Sequence, residues 1–274
     1  MFKQECFIFR LLSLNREKKL KPPFHRRLLN ALCYFFFFSL LSSCGDQKAK
    51  SIVDAGIEAH GGSAYQSFLL EFDFRDIHYT AARDGGIFSY TREFTDSTGR
   101  IKDVLNNSGF TRYRNDSPLT LTKGRAGAFT RSVNSVIYFA LLPFGLNDDA
   151  VIKKWIKETT IKGEPYDVVR VTFHQTSGGD DHDDVFLYWF HQEKNTMDYL
   201  AYSYKTDGGG LRFREALNPR TKGGMLLQDY INYKPADETV PLDDLEAMFV
   251  SGDLQKFSNI NLENTSVTAY PGKD

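Results

Sequence analysis

Cysteine is scarce in this 274-residue chain: Cys6, Cys33 and Cys44 are all it has. Everything beyond Cys44 must therefore fold without an internal disulfide. Long apolar runs are also missing. The most apolar stretch, Leu28 to Leu41, has fourteen residues and would rise about 21 Å as a helix, against a hydrocarbon core of about 30 Å. A permanent membrane span is thereby disfavoured. Excess charge of one sign is absent overall, with 34 Lys+Arg against 35 Asp+Glu, but the balance is uneven along the chain. Residues 1–43 hold eight basic and two acidic groups, so residues 44–274 carry 26 basic against 33 acidic, a net of −7. Such a domain has no broad attraction for nucleic acid or anionic lipid. Several motifs are lacking as well. There is no Gly-x-Ser-x-Gly elbow and no His-Glu-x-x-His helix, and no Gly-Lys-Ser/Thr follows Gly208-Gly-Gly210. Hydrolase and phosphate-loop readings lose their usual support.

What is present comes first as an address. A basic stretch ending His25-Arg26-Arg27 leads into the apolar run, which closes on Leu41-Ser42-Ser43-Cys44. This is the layout of a signal peptide. The tetrapeptide resembles the bacterial lipobox, which implies that Cys44 is lipidated and becomes the mature N-terminus. The expected organisation is a signal peptide over 1–43, a short membrane tether over 44–50 and one domain over 51–274. The expected place is the bacterial envelope, lipid-anchored, on the periplasmic side of the outer membrane.

Beyond Ser51 the pattern reads as folded. Ser51 with Asp54 suggests an N-cap, and Ile52, Val53 and Ile57 share a helical face before His60-Gly61-Gly62. From Leu70 the period becomes two, with a phase change between Phe74 and Ile77 that suggests a bulge in one long strand. Strand-like stretches at 87–94, 101–105, 109–114 and 119–122 are separated by turn residues, as in an antiparallel meander. Residues 133–142 read as a helix apolar nearly all round, and Val151, Ile152, Trp155 and Ile156 read as the stripe of a second helix capped by Asn147. Strand patterns resume at 166–174, 185–191, 198–205, 211–217 and 225–233. A short helix around Leu242 to Phe249 and strands near 257–262 and 266–270 complete the chain. The fold class is mainly β: a curved antiparallel sheet or incomplete barrel of about ten or eleven strands wrapped around a few helices.

This order of elements resembles the LolA/LolB-like lipoprotein-carrier superfamily over residues 50–270. The motifs Glu58-Ala-His-Gly-Gly62, Leu142-Pro-Phe-Gly-Leu146, Tyr188-Trp189 and Arg212-Phe-Arg-Glu-Ala216 resemble a family of lipoproteins with no known activity from Bacteroidota-type bacteria. The first resemblance implies an incomplete barrel sheltering acyl chains under a helical lid. On that reading Phe72, Phe74, Val171, Phe173, Leu187 and Trp189 line a cavity, and Tyr138, Phe139, Leu141 and Leu142 form the lid. The partners are then the membrane, through Cys44, and a hydrophobic small molecule or lipoprotein acyl chain, with no nucleic acid. Function is binding and release, without catalysis and without a cofactor.

Two features point elsewhere. Arg212 and Arg214 alternate across Phe213, share a strand face and suit either a lipid headgroup or neighbouring acids. The segment Asp180-Asp181-His182-Asp183-Asp184 packs four carboxylates and an imidazole into one turn, the donor set of a divalent cation, yet it lacks the register of an EF-hand. A metal-dependent envelope enzyme using this cluster, or a scaffold lipoprotein with a filled core, are the alternatives. His60 is a candidate base by its place at a helix end, and His78, His174 and His191 match no metal-ligand spacing.

Overall fold

The computed structural model describes residues 45–174, 183–205 and 208–270, and residues 44–274 form one compact unit. Its first element is a helix, α1, over 45–60. Residues 45–50, expected as a tether, are its first turns, so Ser51 lies inside the helix and caps nothing. Ala49 and Val53 are fully buried, and Lys48 lies 3.9 Å from the centre of the Trp155 ring, which fixes the helix to the strands that follow it in space.

Among the described residues, fourteen strands follow in two antiparallel sheets. The first sheet contains β1 (Ser67–Phe74), β2 (Ile77–Asp84), β3 (Ile87–Asp96), β4 (Gly99–Asn106), β5 (Gly109–Arg114) and the two-residue β6 (Ser117–Pro118). The last strand of the chain, β14 (Glu263–Thr268), pairs with β1, so the order is β14-β1-β2-β3-β4-β5-β6. The phase change after Phe74 is a hairpin instead of a bulge. Arg75 and Asp76 both have positive φ (52° and 60°), the backbone of a two-residue turn whose twist matches the strands. The stretch 119–122 is not a strand.

One helix, α2 (Lys123–Leu141), then crosses over, beginning ten residues before the apolar segment that announced it. Val133, Ile137 and Leu141 recur at helical spacing and are buried against the first sheet. Pro143, which has no N–H to continue the ladder, ends it.

The second sheet has the order β13-β12-β11-β10-β9-β8-β7. It begins with β7 (Val151–Ile161), where a helix was expected. The adjacent apolar pair Trp155 and Ile156 comes from a bulge between Trp155 and Lys157, which flips the inward phase and imitates a helical stripe. Asn147 bonds the Asp54 side chain at 2.7 Å and starts no helix. Then come β8 (Glu164–Phe173), β9 (Val185–His191), β10 (Met197–Tyr204), β11 (Gly210–Lys222), β12 (Met225–Lys234), the short helix α3 (Leu245–Ser251) and β13 (Gln255–Ile260).

The second sheet is covered on both faces. Val169, Val171, Phe186, Tyr188 and Phe190 pack inward with α1 and the end of α2, while Val168, Leu187, Trp189 and Phe213 pack outward under α3. This explains why β9 is apolar on both sides. The two sheets meet without closing into a barrel, in part where the Gly223-Gly224 turn lies on β14. Gly223 has φ 51°, and a Cβ there would come within 2.7 Å of the Val267 carbonyl oxygen, so only glycine fits. Among the described residues no helix is long and apolar enough to cross a membrane.

Candidate functional site

Between α2 and the inner face of the second sheet lies a cavity of about 580 Å³. One side of α2 forms its roof with Arg131, Ser132, Ser135, Tyr138 and Phe139; the opposite side of the helix is the one buried on the first sheet. The floor comes from alternate residues of consecutive strands, Phe173, Phe186, Tyr202 and Tyr204, then Arg214, then Gln228, Tyr230 and Asn232. Period-two alternation puts these side chains on one face. Rings dominate the floor: Phe186 stacks on Tyr188 and Tyr202, with interplanar angles of 2° and 22°. Tyr138 meets the Tyr188 hydroxyl at 3.1 Å, and burial pushes the Tyr138 phenol up to about 12 and raises those of Tyr188 and Tyr230 well above the ordinary phenol value. The tyrosines therefore contribute neutral hydroxyls at any ordinary pH.

Arg214 is the buried cation of this wall. It is 8% exposed, its guanidinium lies 3.9 Å from the Phe139 ring centre, and one Nη donates to the Tyr202 hydroxyl at 2.6 Å. Its Nε–H has no acceptor, and among the described residues no carboxylate pairs with it. Across the strand pair it sits opposite Asn232, which is 6% exposed and whose Oδ1 also has no partner.

The residues expected from sequence divide clearly. Phe74, Phe173, Tyr138 and Phe139 border the cavity. Phe72 and Val171 are fully buried core residues, as are Leu141 and Leu142 at 4% and 3% exposure, and none of the four is a cavity wall. Leu187 and Trp189 point to the other side of the sheet, because the inward phase of β9 is Phe186, Tyr188 and Phe190. Trp189 donates its Nε1–H to Glu246 of α3 at 2.8 Å. Arg212 shares the face of Arg214 but not its environment: it bonds Tyr204 at 2.9 Å and Glu238 at 3.3 Å, as an ordinary satisfied arginine. Sequence reasoning missed Tyr202, Gln228, Tyr230 and Asn232. A signal existed in β12, where Gln228, Tyr230 and Asn232 place polar groups at period two on a strand otherwise rich in apolar residues.

Of the acidic turn, Asp180, Asp181 and His182 lie outside the described residues. Asp183 pairs with Lys205 at 3.1 Å, and Asp184 borders the cavity. Among the described residues, no three His, Cys, Asp or Glu side chains gather as metal ligands. Among the described residues, the histidines do not converge on a metal-ligand cluster. His60 is fully buried, and its Nε2 accepts the Met197 backbone N–H at 2.9 Å, which leaves the proton on Nδ1, an atom with no hydrogen-bond partner among the described residues. Burial lowers it to about 4, so it is a neutral packing element between α1 and β10. His78 pairs with Asp73, and His191 holds Glu164 while accepting the backbone N–H groups of Glu193 and Lys194.

Comparison with known proteins places this geometry in context. The model of a family of unknown function, DUF6503, matches residues 26–262. Among solved structures, a LolA superfamily protein from Nitrosomonas europaea is similar with a TM-score of 0.46 at 12% identity, covering 81% of this chain and 94% of its own. A DUF1329 family protein from Desulfovibrio piger is similar with a TM-score of 0.41 at 11% identity, covering 82% and 95%. No curated protein matches the chain.

Proposed function

Because the chain belongs to DUF6503, a family of unknown function, its own cavity has to carry the argument, and we propose that it binds one small molecule with a large apolar body, without catalysis. The observation that carries this is the aromatic-walled space of about 580 Å³, within the range of roughly 300–1,000 Å³ typical of small-molecule sites. Apolar ligand surface withdrawn from water there contributes about 25 cal/mol per Å². A space of this size suits one chain better than the several chains of a lipoprotein. Among the described residues the cavity lining includes no histidine or cysteine, and burial holds Tyr138 and Tyr230 neutral, so contact and orientation are what it offers.

The same reading places the protein at a membrane. The lipobox ending in Cys44, and the resemblance to lipoproteins of Bacteroidota-type bacteria, support lipidation and an envelope location. Since residue 45 is already helical, an acyl group on Cys44 would hold the domain against the bilayer with almost no slack. The test uses 1-hexadecanol as a neutral probe with the full-length protein. One saturable site is expected, blocked by Ser135→Trp, which fills the cavity from the exposed side of α2. Absence of saturable binding, or binding indifferent to S135W, rejects the reading. Cys44→Ser should release the protein from membranes.

A further inference from the structure

We infer that the cavity selects a ligand with a single carboxylate head, held by Arg214 and Asn232; this rests on the binding function proposed above. Buried polar atoms in folded proteins are almost always hydrogen-bonded, so two unpartnered ones facing each other across a strand pair call for an explanation. Arg214 Nε and Asn232 Oδ1 are such a pair, and both side chains border the same cavity. Both are more than nine-tenths buried.

The rest of the guanidinium is already positioned. Phe139 and Tyr202 lie 3.9 Å and 5.1 Å from it, and the Tyr202 hydroxyl takes one Nη–H. The cation is thus prevented from swinging to solvent, while its Nε–H, in a side chain that borders the cavity, is left without an acceptor. A planar anionic oxygen group is the natural acceptor for it. Among the described residues the Asn232 side chain makes one hydrogen bond, from Nδ2 to Ser258 Oγ at 3.4 Å. A serine hydroxyl donates as well as accepts, so the amide turned end for end keeps that contact and offers its NH2 to a second carboxylate oxygen.

Charge around the cavity agrees. Among the described residues that border it, Arg75, Arg131 and Arg214 are cationic and Asp184 alone is anionic, in a domain whose net charge is −7. The local sign is opposite to the global one. Only Arg214 of the three arginines is deeply buried, which favours one negative charge at the head; a phosphate monoester would bring nearly two into a wall of neutral tyrosines.

The experiment compares hexadecanoate with 1-hexadecanol on the full-length protein, two probes of equal chain and different head. Wild type should hold hexadecanoate at least tenfold more tightly, about 1.4 kcal/mol. Arg214→Met, and independently Asn232→Asp, which sets a carboxylate against Arg214, should bring the two probes to parity, hexadecanoate losing at least tenfold more affinity than 1-hexadecanol. Equal affinities in wild type, or a preference that survives both substitutions, overturns the inference and leaves the cavity reading intact. Failure of both probes overturns the two together. Tighter binding of hexadecyl phosphate than of hexadecanoate overturns the choice of carboxylate.

Discussion

Each sheet buries a charged side chain near α2, and the two are treated in opposite ways. On the first sheet Asp103 is completely buried, and its two oxygens take three bonds, from Arg92 Nε at 2.7 Å and from Arg112 Nε and Nη at 2.6 and 2.7 Å. Arg112 in turn lies 3.4 Å from the Phe129 ring centre on α2, so the network helps fasten the helix to that sheet. On the second sheet Arg214, 8% exposed, is nearly as withdrawn from water but keeps an unused N–H beside a half-used asparagine. A complete network does structural work, since every charge in it is met. An incomplete one reserves its bonding for something else. The same helix therefore shows a docked face and an open face, and the open face is where a ligand is to be sought.

The sharpest way to break the comparison is to remove Asp103. Asp103→Ala leaves two arginines with side chains only 12% and 11% exposed facing each other, and should cost about 3–5 kcal/mol in urea unfolding. A smaller cost would mean that the network is wetter than its geometry implies. Next comes His60, a buried polar group on α1, outside the cavity. Burial lowers its folded-state value to about 4, below the ordinary 6.5, so protons favour the unfolded chain. Its stabilising contribution should be complete above about pH 6.5 and decline as pH falls toward 4, by roughly 3 kcal/mol in all. Unfolding midpoints across that window should slope in wild type and flatten in His60→Gln. The smallest effect is expected at the open site. Arg214→Met loses one hydrogen bond but also an unpaired buried charge, so stability should shift by less than about 1 kcal/mol. A loss as large as that of D103A would show that Arg214 belongs to the architecture.

Much of the fold could be read along the chain, for reasons that the misreadings make plain. β9, β10 and β12 follow their patterns because period-two alternation or continuous apolarity is a local property. The stretch from Val151 to Ile156 was misread because a bulge places two apolar residues side by side, and spacing alone does not separate that from a helical face. The turn at Arg75-Asp76 was missed since Asp76 tolerates positive φ but Arg75 does not favour it, and no glycine or asparagine marks so short a loop. Cavity walls were harder still. Phe173 and Trp189 look alike in sequence, yet one faces α2 and the other α3. Where both faces of a strand are apolar, parity carries no information about which is inside.

By itself the sequence determined what depends on near neighbours: the basic-then-apolar leader ending in a lipobox-like Leu41-Ser42-Ser43-Cys44, the mainly β composition, the apolar helix in the middle and the exclusion of disulfides beyond Cys44. Tertiary structure decided what depends on distant partners. It set Arg212 against Glu238 and left Arg214, two residues on, with Asn232 and an open cavity. The reason is physical: whether a buried polar group is satisfied depends on atoms brought from other strands, and no local pattern records which of them arrive.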